Sequence, residues 1–286
     1  MKISRRYFLG GGAAALAPGR LFAAKKLASL KIGVTDWNLR KDGRVEALAL
    51  AKSLGFEGVE VSLGRKPVGD KLALDNPEIQ ERYLREAKAQ KIALAGTCLD
   101  ILHVNYLKSD KLGRKWVAEG IPITGKLKAH VMLLPFFGNG VLDTREQREY
   151  VADILKELAP EAERAGVLLG LEDTISAEDN VRIMERARSK AVRVYYDVGN
   201  STKNGFDPVK EIRWLGKDRI CQIHLKDKGY IGDGPIDFRA VMSAIAEIGF
   251  AGFANLETSS PSGSVEDDMR RNLKAVGGII EQVQQA

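Results

Sequence analysis

This 286-residue chain has little to offer sulfur or phosphate chemistry. Its two cysteines, Cys98 and Cys221, fall in or beside strand-like runs that stand far apart along the chain. A disulfide between them is not expected, and two buried thiols are. The first strand-like run leads into Thr35-Asp36-Trp37-Asn38, which lacks the glycine fingerprint of a dinucleotide site. Gly232-Asp233-Gly234 is followed by Pro235 and by no Lys-Ser or Lys-Thr pair, so it is not a phosphate loop. Charge of one sign is also scarce. The formal net charge is +6, but Lys2, Arg5, Arg6 and Arg20 supply four units of it within residues 1–24, where no acid occurs. The remainder carries 40 basic and 38 acidic side chains. A nearly neutral body gives no reason to expect a nucleic-acid partner.

What is present begins with those arginines. Ser4-Arg5-Arg6-Tyr7-Phe8-Leu9 resembles the twin-arginine export signal, with Gly10 at a position often held by Lys. A weakly apolar run from Leu9 to Ala17 follows, then Pro18, Gly19 and the small-residue exit Leu21-Phe22-Ala23-Ala24. The run is too short for a permanent membrane span, so no stable anchor is expected. The resemblance implies that residues 1–24 are a signal peptide. It also implies that the protein is exported already folded, to the periplasm or another extracytoplasmic space.

Residues 30–286 read as one domain, because no linker or low-complexity stretch divides them. Eight strand-like runs alternate with longer amphipathic segments. The runs are 31–35, 57–61, 92–97, 130–134, 167–172, 192–197, 220–225 and 252–257. Helical patterns include 44–55, 145–165 with its stop at Gly166, 207–216 opening on Asp207-Pro208, and a last helix over 264–283. Eight such alternations predict a single (β/α)8 TIM barrel. An open doubly wound sheet is the alternative, and it would normally carry the missing glycine fingerprint.

In such a barrel the chemistry sits at the C-terminal strand ends. Those ends carry Glu60 on the second strand, Glu172-Asp173 on the fifth, Asp197 on the sixth, His224 on the seventh and Glu257 on the eighth. Strand alternation puts Gly170 and Glu172 on one face, Asn255 and Glu257 on one face, and Gln222 and His224 opposite Cys221 and Ile223. The polar sets should point into the barrel mouth. His224 is one of only three histidines, and alone it reads equally well as a core residue. Three carboxylates converging with it would repel unless protonated or neutralised by a cation. Three carboxylates and one imidazole suit one hard divalent ion, Mn2+, Mg2+ or Co2+.

The segments Gly170-Leu171-Glu172, Tyr196-Asp197-Val198-Gly199-Asn200, His224-Leu225-Lys226-Asp227 and Asn255-Leu256-Glu257 resemble the xylose isomerase-like barrels. Within them the likeness is to the sugar isomerase/epimerase branch that includes the tagatose and psicose 3-epimerases. The resemblance spans about residues 30 to 283 and is specific in the second half. It implies that Glu172, Asp197, His224 and Glu257 bind the metal, and that Glu172 and Glu257 also exchange protons with the substrate. Three departures separate the chain from the ketose 3-epimerases. Asn200 stands where they place a substrate-binding His, and Lys226 and Lys228 are the bases nearest the position of their Arg. Glu178 matches their further Glu by spacing, but Ser176-Ala177-Glu178-Asp179 reads better as a helix capping box.

The resemblance implies a small-molecule sugar or glycoside as partner, with a homo-oligomer left open. Abstraction of a proton beside a metal-chelated carbonyl leads to epimerisation or isomerisation, or to a lyase or hydratase reaction on a 3-keto glycoside. Export favours an unphosphorylated sugar and keeps the lyase in view, with His103 in the loop Leu99–Ser109 as its acid or base. A solvated loop histidine is the plainer reading of His103. Trp37 and Phe136-Phe137 are candidates for an apolar wall against the sugar, and Glu60, Asn200 and Lys226 for polar contacts. Asp227 should orient its loop or a ligand. His130 opens its strand at the far end and reads as structural. Apurinic endonucleases share the superfamily but need several His ligands, which this chain cannot supply. A non-catalytic sugar-binding barrel would be expected to lose the paired Glu residues.

Overall fold

The structure, a computed structural model, describes Leu27 and residues 29–286, so the segment 1–24, where an export signal is expected, lies outside the described residues. Eight parallel strands close in sequence order into one barrel: β1 (Leu30–Thr35), β2 (Gly58–Ser62), β3 (Ala93–Cys98), β4 (Val131–Pro135), β5 (Leu168–Glu172), β6 (Val192–Asp197), β7 (Ile220–Leu225) and β8 (Gly252–Leu256). β8 pairs back onto β1, so no edge remains open. Around the barrel run α1 (Glu46–Leu54), α2 (Pro77–Gln90), α3 (Lys111–Lys126), α4 (Arg145–Ala165), α5 (Ala177–Ala187), the short α6 (Val198–Lys203), α7 (Pro208–Leu215), α8 (Phe238–Ile248) and α9 (Val265–Gln285). Among the described residues no helix is long and apolar enough to cross a membrane.

Local sequence accounts for these boundaries. At α4 the Thr144 hydroxyl caps the Gln147 amide while the Gln147 side chain returns a bond to Thr144, and Gly166 ends the helix at φ 68°. Val151, Leu155, Leu158 and Ala162 fall on one stripe and are buried against the barrel. Asp207 caps α7 through the Val209 and Lys210 amides, with Pro208 in the first turn. The Ser176 hydroxyl accepts from the Asp179 amide at the start of α5, and the Asp179 carboxylate pairs with Arg182. Glu178 is exposed on that helix and does not line the cavity over the strand ends.

Two register shifts alter which side chains point inward. Between β6 and β7, Val194 pairs with Ile220 and Tyr195 with Gln222, so Cys221 is an extra residue. Simple alternation puts Cys221 on the helix-facing side with Ile223. The bulge instead turns it into the barrel, beside Val131, Leu133 and Tyr195. The second shift makes Ala95 extra between β2 and β3, and the Gln222 amide donates to its carbonyl. Both cysteines are free and buried.

Candidate metal centre

Above the apolar floor the barrel holds a connected polar layer. The Asn255 amide donates to Tyr195 Oη at 2.8 Å and to Gln222 Oε1 at 3.0 Å. The Tyr195 hydroxyl donates to Glu60 Oε2 at 2.8 Å. Gly33 is required here, because a Cβ at that position would lie 2.0 Å from Asn255 Oδ1. His224 rests on this layer, fully buried, with Nε2 2.8 Å from Glu60 Oε2. Its other nitrogen, Nδ1, faces three carboxylates: Glu172 at 3.0 Å, Glu257 at 3.6 Å and Asp197 at 3.7 Å.

The strands deliver these groups together. Asp197 lies beside His224 in the β6–β7 register, and Glu172 ends β5 beside Pro135 of β4. Glu257 follows the last residue of β8, its amide bonded to the Leu225 carbonyl. One ligand atom from each of Glu172, Asp197, His224 and Glu257 falls within 4.8 Å of the others. Glu172, Asp197 and His224 are buried, and Glu257 is partly so.

Electrostatics test whether a cation fits. Burial pushes Asp197 up to about 7, with Lys226 opposing and the neighbouring carboxylates adding to it. Burial raises Glu172 as well. At Glu257 the His224 and Lys226 charges outweigh burial and hold the carboxyl down at about 2. Burial would lower His224, but Glu257, Glu172 and Glu60 overcome it and raise it well above the usual imidazole range. The set is thus short of positive charge. Lys226 supplies part of it: Nζ lies 2.5 Å from Glu257 Oε2 and 2.8 Å from Asp197 Oδ2. Yet Asp197 Oδ2 is buried without an aligned hydrogen-bond donor, since the lysine meets it by proximity rather than by hydrogen-bond geometry. A buried carboxylate oxygen with no hydrogen-bond partner, beside two more carboxylates and an imidazole nitrogen, fits a hard divalent cation. Glu60, behind the imidazole, is the partner such a ligand ordinarily has.

The other expected residues divide into three groups. A cavity of about 500 Å³ opens over the tetrad, and Trp37, His103, Phe137, Asn200 and Lys226 line it. Trp37 Nε1 donates to Glu257 Oε1 at 3.1 Å, and the Asn200 amide reaches Glu172 Oε1 at 3.4 Å. His103 stacks on Phe137, centroids 6.1 Å apart, and burial together with Arg65 lowers its pKa. Glu60 is not on the cavity wall. It is wholly buried beneath the imidazole, so its placement is that of a support to His224 rather than of a sugar contact. Phe136 likewise points away, into the core under the helices. Asp227 accepts from the amides of Lys228, Gly232 and Gly234, which folds its loop, and it bonds to none of the four ligands. Sequence reasoning passed over Ser62, Arg65 and Asp100, which also line the cavity. Asp100 stands two residues beyond the end of β3 at Cys98, past the end of the strand-like run 92–97.

Residues 48–276 match the family described as the xylose isomerase-like TIM barrel. The chain belongs to that family. Among curated proteins, a 2-epi-5-epi-valiolone 7-phosphate 2-epimerase of Actinoplanes sp. is 26% identical over 205 residues, 69% of this chain and 72% of that protein. Among solved structures, an L-ribulose 3-epimerase superposes with a TM-score of 0.74 at 19% identity, covering 89% of this chain and 96% of the other. A 3-keto-D-glucoside 4-epimerase from E. coli gives 0.71 at 16% identity, covering 87% and 99%. At those identities the two structures speak to the fold alone.

Proposed function

We propose that the protein is a divalent-metal-dependent sugar isomerase or epimerase acting through an enediolate, with Glu172 and Glu257 transferring the protons. The observation that carries this is the convergence of Glu172, Asp197, His224 and Glu257 beside one cavity, with all three carboxylates facing Nδ1 of the imidazole. The epimerase names of the relatives support it. A bound Mn2+, Mg2+ or Co2+ would polarise a ketone oxygen and the adjacent hydroxyl, making the intervening C–H acidic. One glutamate removes that proton. Return by the other glutamate to the opposite face inverts the carbon, and return to the neighbouring carbon isomerises the sugar. Trp37 and Asn200 hold the two carboxylates in place by the bonds described above. Export through the twin-arginine route belongs to the same proposal, and it places the substrate among free or glycosidic sugars.

A second reading, a lyase acting on 3-keto glycosides, is favoured by the position of His103 on the cavity wall. Its lowered pKa keeps the imidazole neutral and able to take a proton. One experiment separates the two. Metal-loaded protein in deuterated buffer is given free ketoses and 3-keto glycosides. Deuterium entering recovered sugar without net loss supports the isomerase or epimerase, and release of the aglycone supports the lyase. Absence of exchange with every sugar at every metal loading refutes both. Glu257→Gln is expected to abolish turnover with the fold retained.

A further inference from the structure

Across the barrel from the tetrad, the cavity wall is built by the ends of β2 and β3, and here Ser62 and Asp100 meet. The Ser62 hydroxyl donates to Asp100 Oδ2 at 2.6 Å. That hydroxyl also accepts from the Gly64 amide at 3.1 Å, so both of its roles are filled. The Ser62 amide donates to Asp36 Oδ2 at 3.0 Å, and the Leu99 amide goes to the Leu133 carbonyl. The Ser62, Gly64 and Leu99 amides are therefore spent internally. What it presents to the cavity is acceptor capacity. Asp100 forms no ion pair among the described residues, and the Ser62 hydroxyl keeps its carboxylate in one orientation. Burial raises Asp100 to about 6, with the bond from Ser62 opposing the rise. Asp42 adds a second carboxylate at the rim, against the single guanidinium of Arg65.

We infer that the Ser62–Asp100 pair is a substrate subsite that accepts hydrogen bonds from hydroxyl groups of an uncharged polyol, and that it selects against phosphorylated sugars. The donor and acceptor inventory decides this. Sugar hydroxyls can donate to a carboxylate, whereas a phosphate is an acceptor only and is recognised by clustered guanidinium, ammonium or free amide donors. One rim arginine facing two carboxylates is not such a cluster, and the Lys226 ammonium, which also lines the cavity, is already held by Asp197 and Glu257. The sugar would lie between the two sides of the mouth, its reacting carbons over the tetrad and its distal hydroxyls on Asp100. The inference rests on the metal-dependent sugar reading above and adds the class of sugar to it.

Calorimetry on the full chain tests the two layers separately. Mn2+ is titrated first, then D-fructose, D-tagatose, methyl β-D-glucoside and D-fructose 6-phosphate into the Mn2+-loaded protein. The expected result is that a neutral sugar binds at least about tenfold tighter than the 6-phosphate. Asp100→Ala should weaken the neutral sugar by roughly 10- to 100-fold, the span of a charge-assisted hydrogen bond. Mn2+ affinity should stay at the wild-type value. Asp100→Asn keeps the shape of the side chain and stands in if the alanine variant does not fold; it should also narrow the discrimination against the phosphate. Preference of the wild type for the 6-phosphate overturns the subsite. So does binding of no neutral sugar by Mn2+-loaded protein, or unchanged neutral-sugar affinity in both Asp100 variants. Absence of Mn2+ binding overturns instead the metal reading on which the subsite depends.

Discussion

Glu60→Gln gives the sharpest test of how the centre is built, because Glu60 touches neither the cavity nor the space between the ligands. Its Oε2 receives His224 Nε2 at 2.8 Å and the Tyr195 hydroxyl at 2.8 Å, while Oε1 is buried with no partner. Glutamine keeps the acceptor that fixes the imidazole tautomer, so Nδ1 still faces the carboxylates. Two things change. The imidazole loses one of the three carboxylates that raise its basicity, and a buried amide N–H appears where Oε1 had no donor to meet. The unsatisfied amide costs about 1–3 kcal/mol. Removing one of four crowded carboxylates offsets part of that, so the melting temperature should move by only a few degrees. Metal affinity should fall much more clearly. Losing the partner behind a metal-bound histidine ordinarily costs about 10- to 100-fold, or about 1.4–2.7 kcal/mol. Calorimetric titration of Mn2+ into both proteins is the assay, with the His224 pKa of the metal-free protein followed by NMR and expected to drop. A folded Glu60→Gln protein that binds Mn2+ within twofold of wild type would refute the role given to Glu60.

Further outcomes follow from the same charges. Lys226→Met strips Asp197 and Glu257 of their counter-charge. Because the lysine is 28% exposed, the loss should be discounted to about 1–3 kcal/mol in the metal-free protein, read as a lower melting temperature that Mn2+ restores. Gly199→Ala places a Cβ 2.5 Å from Lys226 Cγ and should cost about 1–3 kcal/mol by displacing that stem, detected by chemical denaturation. The metal-free protein should lose stability as pH rises from about 4 to about 7. Asp100, Asp173 and Asp197 are raised to about 6, 7 and 7, so the native state holds more protons than the unfolded chain in that window. Melting curves of chelator-treated protein at pH 4.5 to 7.5 check this, and a flat or rising trend would contradict it.

The barrel was legible because its signal is redundant. Each strand-like run lies within a residue or two of an observed strand, and the capping residues Ser176 and Asp207 mark helix starts whose hydrogen bonds the structure displays. The gathering of Glu172, Asp197, His224 and Glu257 was legible for a related reason: parallel register puts like ends together, so the end of a strand is an address in space. Period-two reasoning failed where register slipped. Nothing in Ile220-Cys221-Gln222 announces a bulge, and one extra residue is enough to turn Cys221 inward. Depth was equally hidden. Glu60 stands at a strand end like the ligands, but Tyr195 and Asn255 from other strands fix it below His224. No local pattern encodes that third dimension.

The two halves of the mouth differ in kind, and under the proposed function this bears on how substrate choice is set. β5 to β8 bring acids and an imidazole that are mutually dependent: Lys226 and His224 balance Glu172, Asp197 and Glu257, so a change at one shifts the ionisation of the others. Such a cluster resists piecemeal alteration. The β2–β3 wall is made of side chains satisfied locally, with Ser62 bonded to Gly64, Asp36 and Asp100. Substitution there should leave the tetrad intact. Substrate choice should therefore be easier to move by changing Ser62, Arg65, Asp100 and His103 than by touching the metal ligands. Paired libraries at the two sets, scored for Mn2+ affinity and for the sugar bound, would distinguish this division from one in which every residue of the mouth contributes to both.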